Sequence, residues 1–259
     1  MASDLVVGLR DCWSLGIREI RHVFRHIDGL LTSLILPVLL LLMFTYLFGG
    51  GLSQALPSRQ SYLEYVTPGI LIMAVCYCAS TTAARVSTDW STGFVERLRS
   101  MPIVRPAFLV SHIMAAMVRN VGSLIVALGV AVLLGYRVQG SWGDTLVAGA
   151  ILLGFAVALT SLAVLIGVMA PSPDAASTYT MLLMILPYFS GAFVPLGTMP
   201  TPLRVVCQYQ PMNTVWTAVS ELVSGQMTSS ILGALAWCIG LTIGCLVISS
   251  ILFNRKAVP

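Results

Sequence analysis

The sequence predicts an all-α integral membrane protein, and three observations carry that prediction. Of its 259 residues, 57% are apolar and 9% are charged, with a mean hydropathy of +0.91. A soluble domain carries roughly 25% charged residues, so 14 basic and 10 acidic side chains are too few to cover a soluble surface of this size. The apolar residues also gather in runs of about 20, the length a helix needs to cross ~30 Å of hydrocarbon. These features exclude a soluble enzyme, a nucleic-acid-binding domain and a disordered chain. The expected surroundings are a lipid bilayer, with no nucleic acid partner.

The elements follow in chain order. In residues 1–28, Leu5, Leu9, Trp13, Ile17, Ile20, Phe24 and Ile27 recur at helical steps. Arg10, Ser14, Arg18, Arg21 and Arg25 occupy the adjoining face. Such a helix lies in the membrane interface. His22 and His26 have a spacing that suits a metal, but no Cys or carboxylate completes a set, and no metal is expected. The first span is Leu30 to Phe48, with Pro37 tolerated inside it. A cleaved signal peptide ending near Ala55 is the rival reading; the acidic Asp4, Asp11, Glu19 and Asp28 in the leader oppose it.

After a polar loop, Gly49 to Glu64, the second span runs from Tyr65 to Ala84. The most charged stretch, Arg85 to Pro106, precedes a third span from about Phe108 to Leu134. A turn at Gly135 to Gly143 leads to the fourth span, Thr145 to Ala170. Pro171-Ser172-Pro173-Asp174 opens the fifth, Ala176 to about Val194, and the sixth is Ile231 to Phe253. Residues 195–229 are too polar to cross and too apolar for a free loop. The whole chain, 1–259, reads as one transmembrane domain with three non-spanning parts: 1–28, 86–106 and 195–229.

Orientation follows from the Lys/Arg bias across alternating loops. One side holds ten: Arg10, Arg18, Arg21, Arg25, Arg85, Arg97, Arg99, Arg105, Arg255 and Lys256. The other holds three: Arg59, Arg137 and Arg204. Both termini are therefore expected in the cytoplasm, with Trp142 and Trp216 at the outer interface.

Catalytic motifs are missing. There is no G-x-x-x-x-G-K-[ST], no H-E-x-x-H and no Ser/His/Asp set that the topology could assemble. Glu64, Asp144, Asp174 and Glu221 flank spans and do not sit within them. An ion-coupled secondary transporter, the alternative function, usually keeps acids at depth. A membrane enzyme or assembly scaffold is disfavoured by the absent catalytic sets. Arg119 alone lies within a span, read either as snorkelling or pairing with an interfacial acid, or as part of a substrate path. Cys76, Cys78, Cys238 and Cys245 fall in apolar runs, Cys12 in the leader and Cys207 in the later polar segment; all six read as structural.

Two stretches carry a resemblance. The first is Thr88-Asp89-Trp90-Ser91-Thr92-Gly93-Phe94-Val95-Glu96-Arg97-Leu98-Arg99-Ser100-Met101-Pro102-Ile103-Val104-Arg105. The second is Ser190-Gly191-Ala192-Phe193-Val194-Pro195-Leu196-Gly197-Thr198-Met199-Pro200, then Gln210-Pro211-Met212-Asn213, ending Glu221-Leu222-Val223-Ser224-Gly225. Both resemble the type-2 ATP-binding-cassette exporter permeases, in particular the daunorubicin/doxorubicin-resistance branch. Nodulation-factor exporter permeases are more distant relatives. The resemblance covers nearly the whole chain, leader and six spans included.

The resemblance implies a permease subunit of a bacterial exporter in the plasma (inner) membrane, multi-pass, without an ATPase site of its own. ATP is bound by a separate P-loop ATPase subunit, and no cofactor is expected on this chain. A second permease chain, identical or a sister, completes the assembly. The implied substrate is lipophilic, a drug, lipid or lipid-linked glycan, moved out of the cytoplasm or inner leaflet, as in multidrug export and antibiotic resistance.

The resemblance also assigns roles. Thr92 to Ser100 is expected to form a short helix stopped by Pro102. The family docks such a coupling helix on the ATPase, which marks Thr92, Gly93, Phe94, Glu96, Arg97, Leu98, Arg99 and Pro102. Phe94 and Leu98 would form an apolar knob, and Glu96, Arg97 and Arg99 polar contacts; an ordinary positive-inside loop is the alternative. In the second stretch Pro195, Pro200, Pro202 and Pro211 prevent one continuous helix. Two short helices are expected, Thr201–Tyr209 and Asn213–Ser224, the second capped by Asn213 and ended at Gly225. The family forms a re-entrant outer gate there, which marks Ser190, Gly191, Pro195, Met199, Pro200, Pro211 and Asn213. Where the family often carries an Arg before its final Leu-x-x-Gly, this chain reads Ser220-Glu221-Leu222-Val223-Ser224-Gly225. A pathway between two bundles would be lined from spans one, two and five, with Met73, Tyr77, Met181, Met184, Tyr188 and Phe189 as candidates beside Arg119. Helix packing is the alternative for each.

The charge bias generates a topology test. Single cysteines replacing Arg10, Arg97 or Lys256 should be shielded from an impermeant thiol reagent on intact cells. Gln54→Cys and the native Cys207 should lie on the outer side. Outside labelling at position 97 would overturn the map.

Overall fold

The computed structural model describes residues 2–25, 27–49, 62–99, 106–193, 200–226 and 229–255, and all regular structure among them is helical. Helix α1 is Ala2–Arg25 and α2 is Ile27–Met43, the latter continued by a π-helical turn, Phe44–Phe48. Then follow α3 (Tyr62–Ser91), the short α4 (Phe94–Arg99), α5 (Pro106–Leu133) and α6 (Trp142–Met169). Helix α7 (Pro173–Ile185) passes into a 3-10 turn, Leu186–Phe189; α8 (Thr201–Tyr209), α9 (Pro211–Val223) and α10 (Ile231–Arg255) complete the chain.

Four described helices are long and apolar enough to cross a membrane: Tyr62–Ser91, Phe108–Leu133, Trp142–Met169 and Ile231–Phe253. The expected first span is shorter, an apolar helix over Leu31–Leu47. The expected fifth span is interrupted. Pro187 lacks an N–H and clashes with the preceding turn, so the α-helix stops at Ile185 after 13 residues, ~20 Å of rise.

Local chemistry sets the ends. Ser141 and Asp144 form a reciprocal capping box at the start of α6, the Ser141 hydroxyl accepting from the Asp144 N–H at 3.2 Å. Asp144 is thus a capping residue. Ser172 accepts from the Ala175 N–H at 3.2 Å and Pro173 occupies the first turn of α7. Gly93, at φ +71°, ends α3 in the left-handed conformation that a side chain would strain.

Helix α3 is the hub. With α6 and α9 it encloses Ile72, Phe155, Ile151, Met212, Val215 and Val219. Toward α2 it buries Val66, Ile70 and Met73 with Leu41 and Phe193. At its far end Val86 joins Val95 of α4, Phe108 and Leu109 of α5, Val164 and Val168 of α6, and Phe253 of α10. Helices α5 and α10 turn apolar side chains outward, among them Ile125, Leu133, Ile239 and Ile243. That is how helices facing hydrocarbon are built.

The structure corrects three local expectations. Helix α3 does not stop at Ala84: nothing breaks it before Thr92-Gly93, so Arg85 and Asp89, expected in a loop, lie in its last turns. Asn213 does not cap α9; Pro211 begins that helix, and the Asn213 side chain is used elsewhere. Cys207, expected to be open to outside reagents, is fully buried, whereas Tyr209 beside it is exposed and is the better labelling position.

Candidate functional site

Sequence reasoning marked two sites, and the structure puts them at opposite ends of the bundle. At the α4 end, Thr92 and Gly93 form the turn that separates α4 from α3. Val95, which the sequence did not single out, is the one buried side chain among the described residues of α4. Phe94 is half-buried, its ring 3.7 Å beneath the Arg18 guanidinium, while Glu96 and Arg97 are exposed. Leu98 and Arg99 belong to the helix, but their side chains lie outside the description, as does Pro102 altogether.

Directly beneath α4 lies a cluster that the sequence reading missed. Glu19 of α1, Asp89 of α3 and His112 of α5 present ligand-type atoms within 4.8 Å of one another, all three residues buried. Arg85 places its Nε 3.5 Å from Glu19 Oε2 and its Nη2 3.5 Å from Asp89 Oδ1. Arg18 Nη1 lies 3.0 Å from Glu19 Oε1, and His112 Nε2 lies 3.4 Å from Asp89 Oδ2. The donor set of two carboxylates and an imidazole is one that metals use. Here, however, two arginines already supply the two positive charges that the carboxylates require, so the charge balance favours an ion-pair network over a cation site.

The same seam continues inward between α3 and α5. Arg119 Nη2 donates to Thr82 Oγ1 at 2.7 Å, so its hydrogen-bond partner is a hydroxyl of α3 and not the interfacial acid expected. Ser123 Oγ donates to the Ser33 carbonyl of α2 at 2.7 Å. Asp89, Arg85 and Thr82 recur at steps of four and three on α3, a single helical face. That recurrence was the available signal, hidden because the loop boundary had been drawn at Arg85.

On α1 a third face, which the sequence reading did not mark, meets the bundle. Gly16, Glu19 and Val23 are buried, while Trp13 and Phe24 of the apolar stripe are exposed. Of the described side chains of the stripe, Trp13 and Phe24 face outward, as a lipid boundary requires, Ile17 and Ile20 are half-buried, and a carboxylate faces protein.

At the opposite end, Ser190, Gly191 and Asn213 come together. The Gly191 N–H donates to Asn213 Oδ1 at 2.9 Å, and Tyr65 OH donates to the Gly191 carbonyl. Gln210 Nε2 donates to the Phe189 carbonyl, and Ser190 Oγ to that of Pro187 at 2.5 Å. Trp216, expected at the membrane surface, packs edge-on against Tyr65 at 5.4 Å. A Cβ at Gly191 would meet the Trp216 ring at 2.9 Å and Asn213 Oδ1 at 3.2 Å, so no side chain fits there. Beyond it, the Gln139 and Gly140 N–H groups donate to the Val223 carbonyl at 3.0 and 2.8 Å, closing α9 against the α5–α6 turn. Burial, with the Glu64 carboxylate, pushes the Tyr136 phenol above its usual pKa in that turn. Pro200 is exposed, Pro211 half-buried, and Pro195 and Met199 lie outside the described residues.

The pathway candidates divide. Met181, Tyr188 and Phe189 are exposed on one side of α7 and its 3-10 turn, with Met184 and Tyr77 partly buried. Met73 is enclosed within the chain at 0% exposure and faces none of its open surface.

Comparison with known proteins places both sites in one framework. The family model described as ABC-2 type transporter matches residues 10–223, from α1 to the last residue of α9. The chain is similar to the daunorubicin resistance ABC transporter permease protein DrrB1 of Streptomyces coeruleorubidus, with 31% identity over 204 residues, 78% of this chain and 71% of that protein. It is also similar to the probable doxorubicin resistance ABC transporter permease protein DrrC of Mycobacterium tuberculosis H37Rv, 23% identical over 226 residues, 87% of this chain and 81% of the relative. The doxorubicin resistance ABC transporter permease protein DrrB of the same strain matches over 130 residues at 29% identity, 49% of this chain and 44% of that protein.

The ion network makes a stability prediction. Arg85→Met keeps most of the side-chain length but strips both buried carboxylates of a partner, an effect of roughly 3–5 kcal/mol for a broken buried pair. Arg137→Met, at an exposed loop position, should stay within about 0.5 kcal/mol. Thermal unfolding in detergent measures both; equal melting temperatures would show the network to be energetically idle.

Proposed function

The chain belongs to the ABC-2 type transporter family, and from that premise we propose how it works as the permease of an ATP-driven exporter. It is the membrane subunit, and ATP hydrolysis belongs to a separate subunit. Its relatives carry daunorubicin and doxorubicin resistance in their names, which supports a lipophilic, aromatic drug or a lipid as cargo. Our reading has six crossings, with both termini in the cytoplasm of a bacterial inner membrane. The interrupted α7 would count as the fifth crossing, and α8–α9 as a hairpin re-entering from outside.

The observation that carries the coupling role is the anatomy of α4. A six-residue helix follows a glycine hinge, buries Val95 into the bundle and leaves Glu96 and Arg97 exposed. A loop held only by solvation needs no buried anchor; a docking helix needs both an anchor and a polar outer face. At the other end, the Tyr65–Gly191–Asn213 bonds fit a gate that is closed in this state. Two permease chains would meet across a cavity faced by the open side of α7, with Met181, Tyr188 and Phe189 toward the cargo. Ion coupling fits less well: a coupling ion needs a carboxylate free to receive it, and Glu19 and Asp89 are held by Arg18 and Arg85.

The test has two arms. The purified chain alone should hydrolyse no ATP, and a P-loop ATPase should co-purify with it from its native membrane; robust hydrolysis by the mass-verified chain alone would overturn the reading. Glu96→Lys should cut ATPase retention or drug efflux by about tenfold, the effect of ~1.4 kcal/mol at a charged docking rim. Arg59→Glu, which the sequence puts in the outer loop, should export normally at matched expression. Full retention and efflux in Glu96→Lys would remove the docking role from α4.

A further inference from the structure

Helix α4 has a mechanical difficulty. It is joined to α3 through Thr92 and Gly93, and Gly93 at φ +71° is a natural pivot. A push on its exposed face would rotate it about that pivot unless something ties it to the spans. Val95 anchors it, but an apolar contact has no preferred direction and does not by itself hold a helix against a sideways push. Buried ion pairs behave differently: pulling one apart leaves a charge without a partner in a low-dielectric interior, so the contact is held or broken and does not slide.

A series of contacts runs from α4 through α1 into the bundle, a cation–π contact at the half-exposed Arg18 first and buried ion pairs after it. Phe94 of α4 sits under Arg18 of α1 at 3.7 Å, and the neighbouring Glu19 reaches Arg85 of α3 at 3.5 Å. Arg85 reaches Asp89 at 3.5 Å, and Asp89 faces His112 of α5 at 3.4 Å. Leu15, Phe94, Val95, Phe108 and Ile113 fill the space beside this path, bringing α1, α4 and α5 into one apolar cluster. Helix α1 also lies close along α5, where a Cβ built on Gly16 would stand 3.0 Å from the Met114 sulfur.

We propose that Glu19 makes the interfacial helix α1 a transmission strut, binding it to Arg85 of α3 and, through Arg85 and Asp89, to His112 of α5, so that displacement of α4 moves the bundle and is not lost at the Gly93 pivot. The proposal rests on the reading of α4 as the docking helix. Glu19 is a positioning residue: it touches neither cargo nor nucleotide and acts through Arg18 and Arg85.

A cross-link separates a strut from a merely structural ion pair. The Cβ built on Gly16 lies 3.8 Å from the Met114 Cβ, and disulfides span Cβ atoms ≈3.8 Å apart. Gly16→Cys with Met114→Cys should therefore oxidise to a bond that does the holding covalently. The experiment uses the complete exporter, permease with its ATPase subunit, in proteoliposomes. Glu19→Gln should retain the ATPase subunit to within about twofold and keep hydrolysing ATP, yet lose about tenfold or more of drug export, a loss of ~1.4 kcal/mol in coupling. Oxidising the cysteine pair in the Glu19→Gln background should restore most of that export, and reduction should remove it again.

Normal export in Glu19→Gln, or a formed cross-link that restores nothing, overturns the strut. If Glu19→Gln fails to accumulate, the cysteine pair in the otherwise native chain still decides. A strut stays closed through the cycle, so the oxidised pair should export as the reduced one does, and a block on oxidation overturns the proposal. The docking reading fails separately, when Glu96→Lys retains the ATPase and exports normally.

Discussion

The α4 end is built around two buried carboxylates, Glu19 and Asp89, and the cationic side chains that face them. An isolated charge at such a place is costly, and the sequence has few charges to spend on neutralising it. Arg85 meets both carboxylates from α3, and Arg18 meets one of them from α1. Because the partners sit on different helices, satisfying the charges fixes the positions of those helices. That electrostatic requirement helps to locate α1 on the bundle and ties together the helices at the root of α4. Apolar packing fills in around it with Val86, Phe108 and Phe253.

The two ends of the bundle solve different problems with different chemistry. The α4 end is held by ionised side chains, which grip firmly. The α9 end is held by neutral hydrogen bonds between a side chain and backbone, as between Asn213 and Gly191, and by aromatic edges such as Tyr65 on Trp216. A neutral bond exchanged for another has a small net cost. An element bound in that way opens and recloses more readily than one bound by buried charge, which agrees with the gate and the docking helix proposed for the two ends.

Much of this was legible in the sequence. Runs near 20 apolar residues gave the long helices, and the prolines around residues 195–211 fixed α8 as it is found, Thr201–Tyr209. The short helix expected over Thr92 to Ser100 begins within two residues of α4, Phe94–Arg99. What stayed hidden had physical causes. Glu19 looked like one more polar residue on an amphipathic helix, since periodicity records which residues share a face and not which face meets protein. Arg85 and Asp89 looked like loop because charge was taken as the end of a span, although paired charge need not end one. Asn213 looks like a cap because Asn is favoured at helix N-termini; its partner, Gly191, is remote in sequence. Long-range pairing is what a single sequence reports least.

The crowding around Gly191 has a consequence for how such proteins diverge. Its missing side chain is the space that the Trp216 ring and the Asn213 amide occupy. A larger residue at 191 is therefore compatible with the same backbone only if the ring at 216 shrinks and the amide at 213 gives way. The dependence runs one way: a side chain at 191 needs room made first at 216 and 213, whereas a smaller ring at 216 leaves the glycine undisturbed, so the order in which these positions can change is set by geometry.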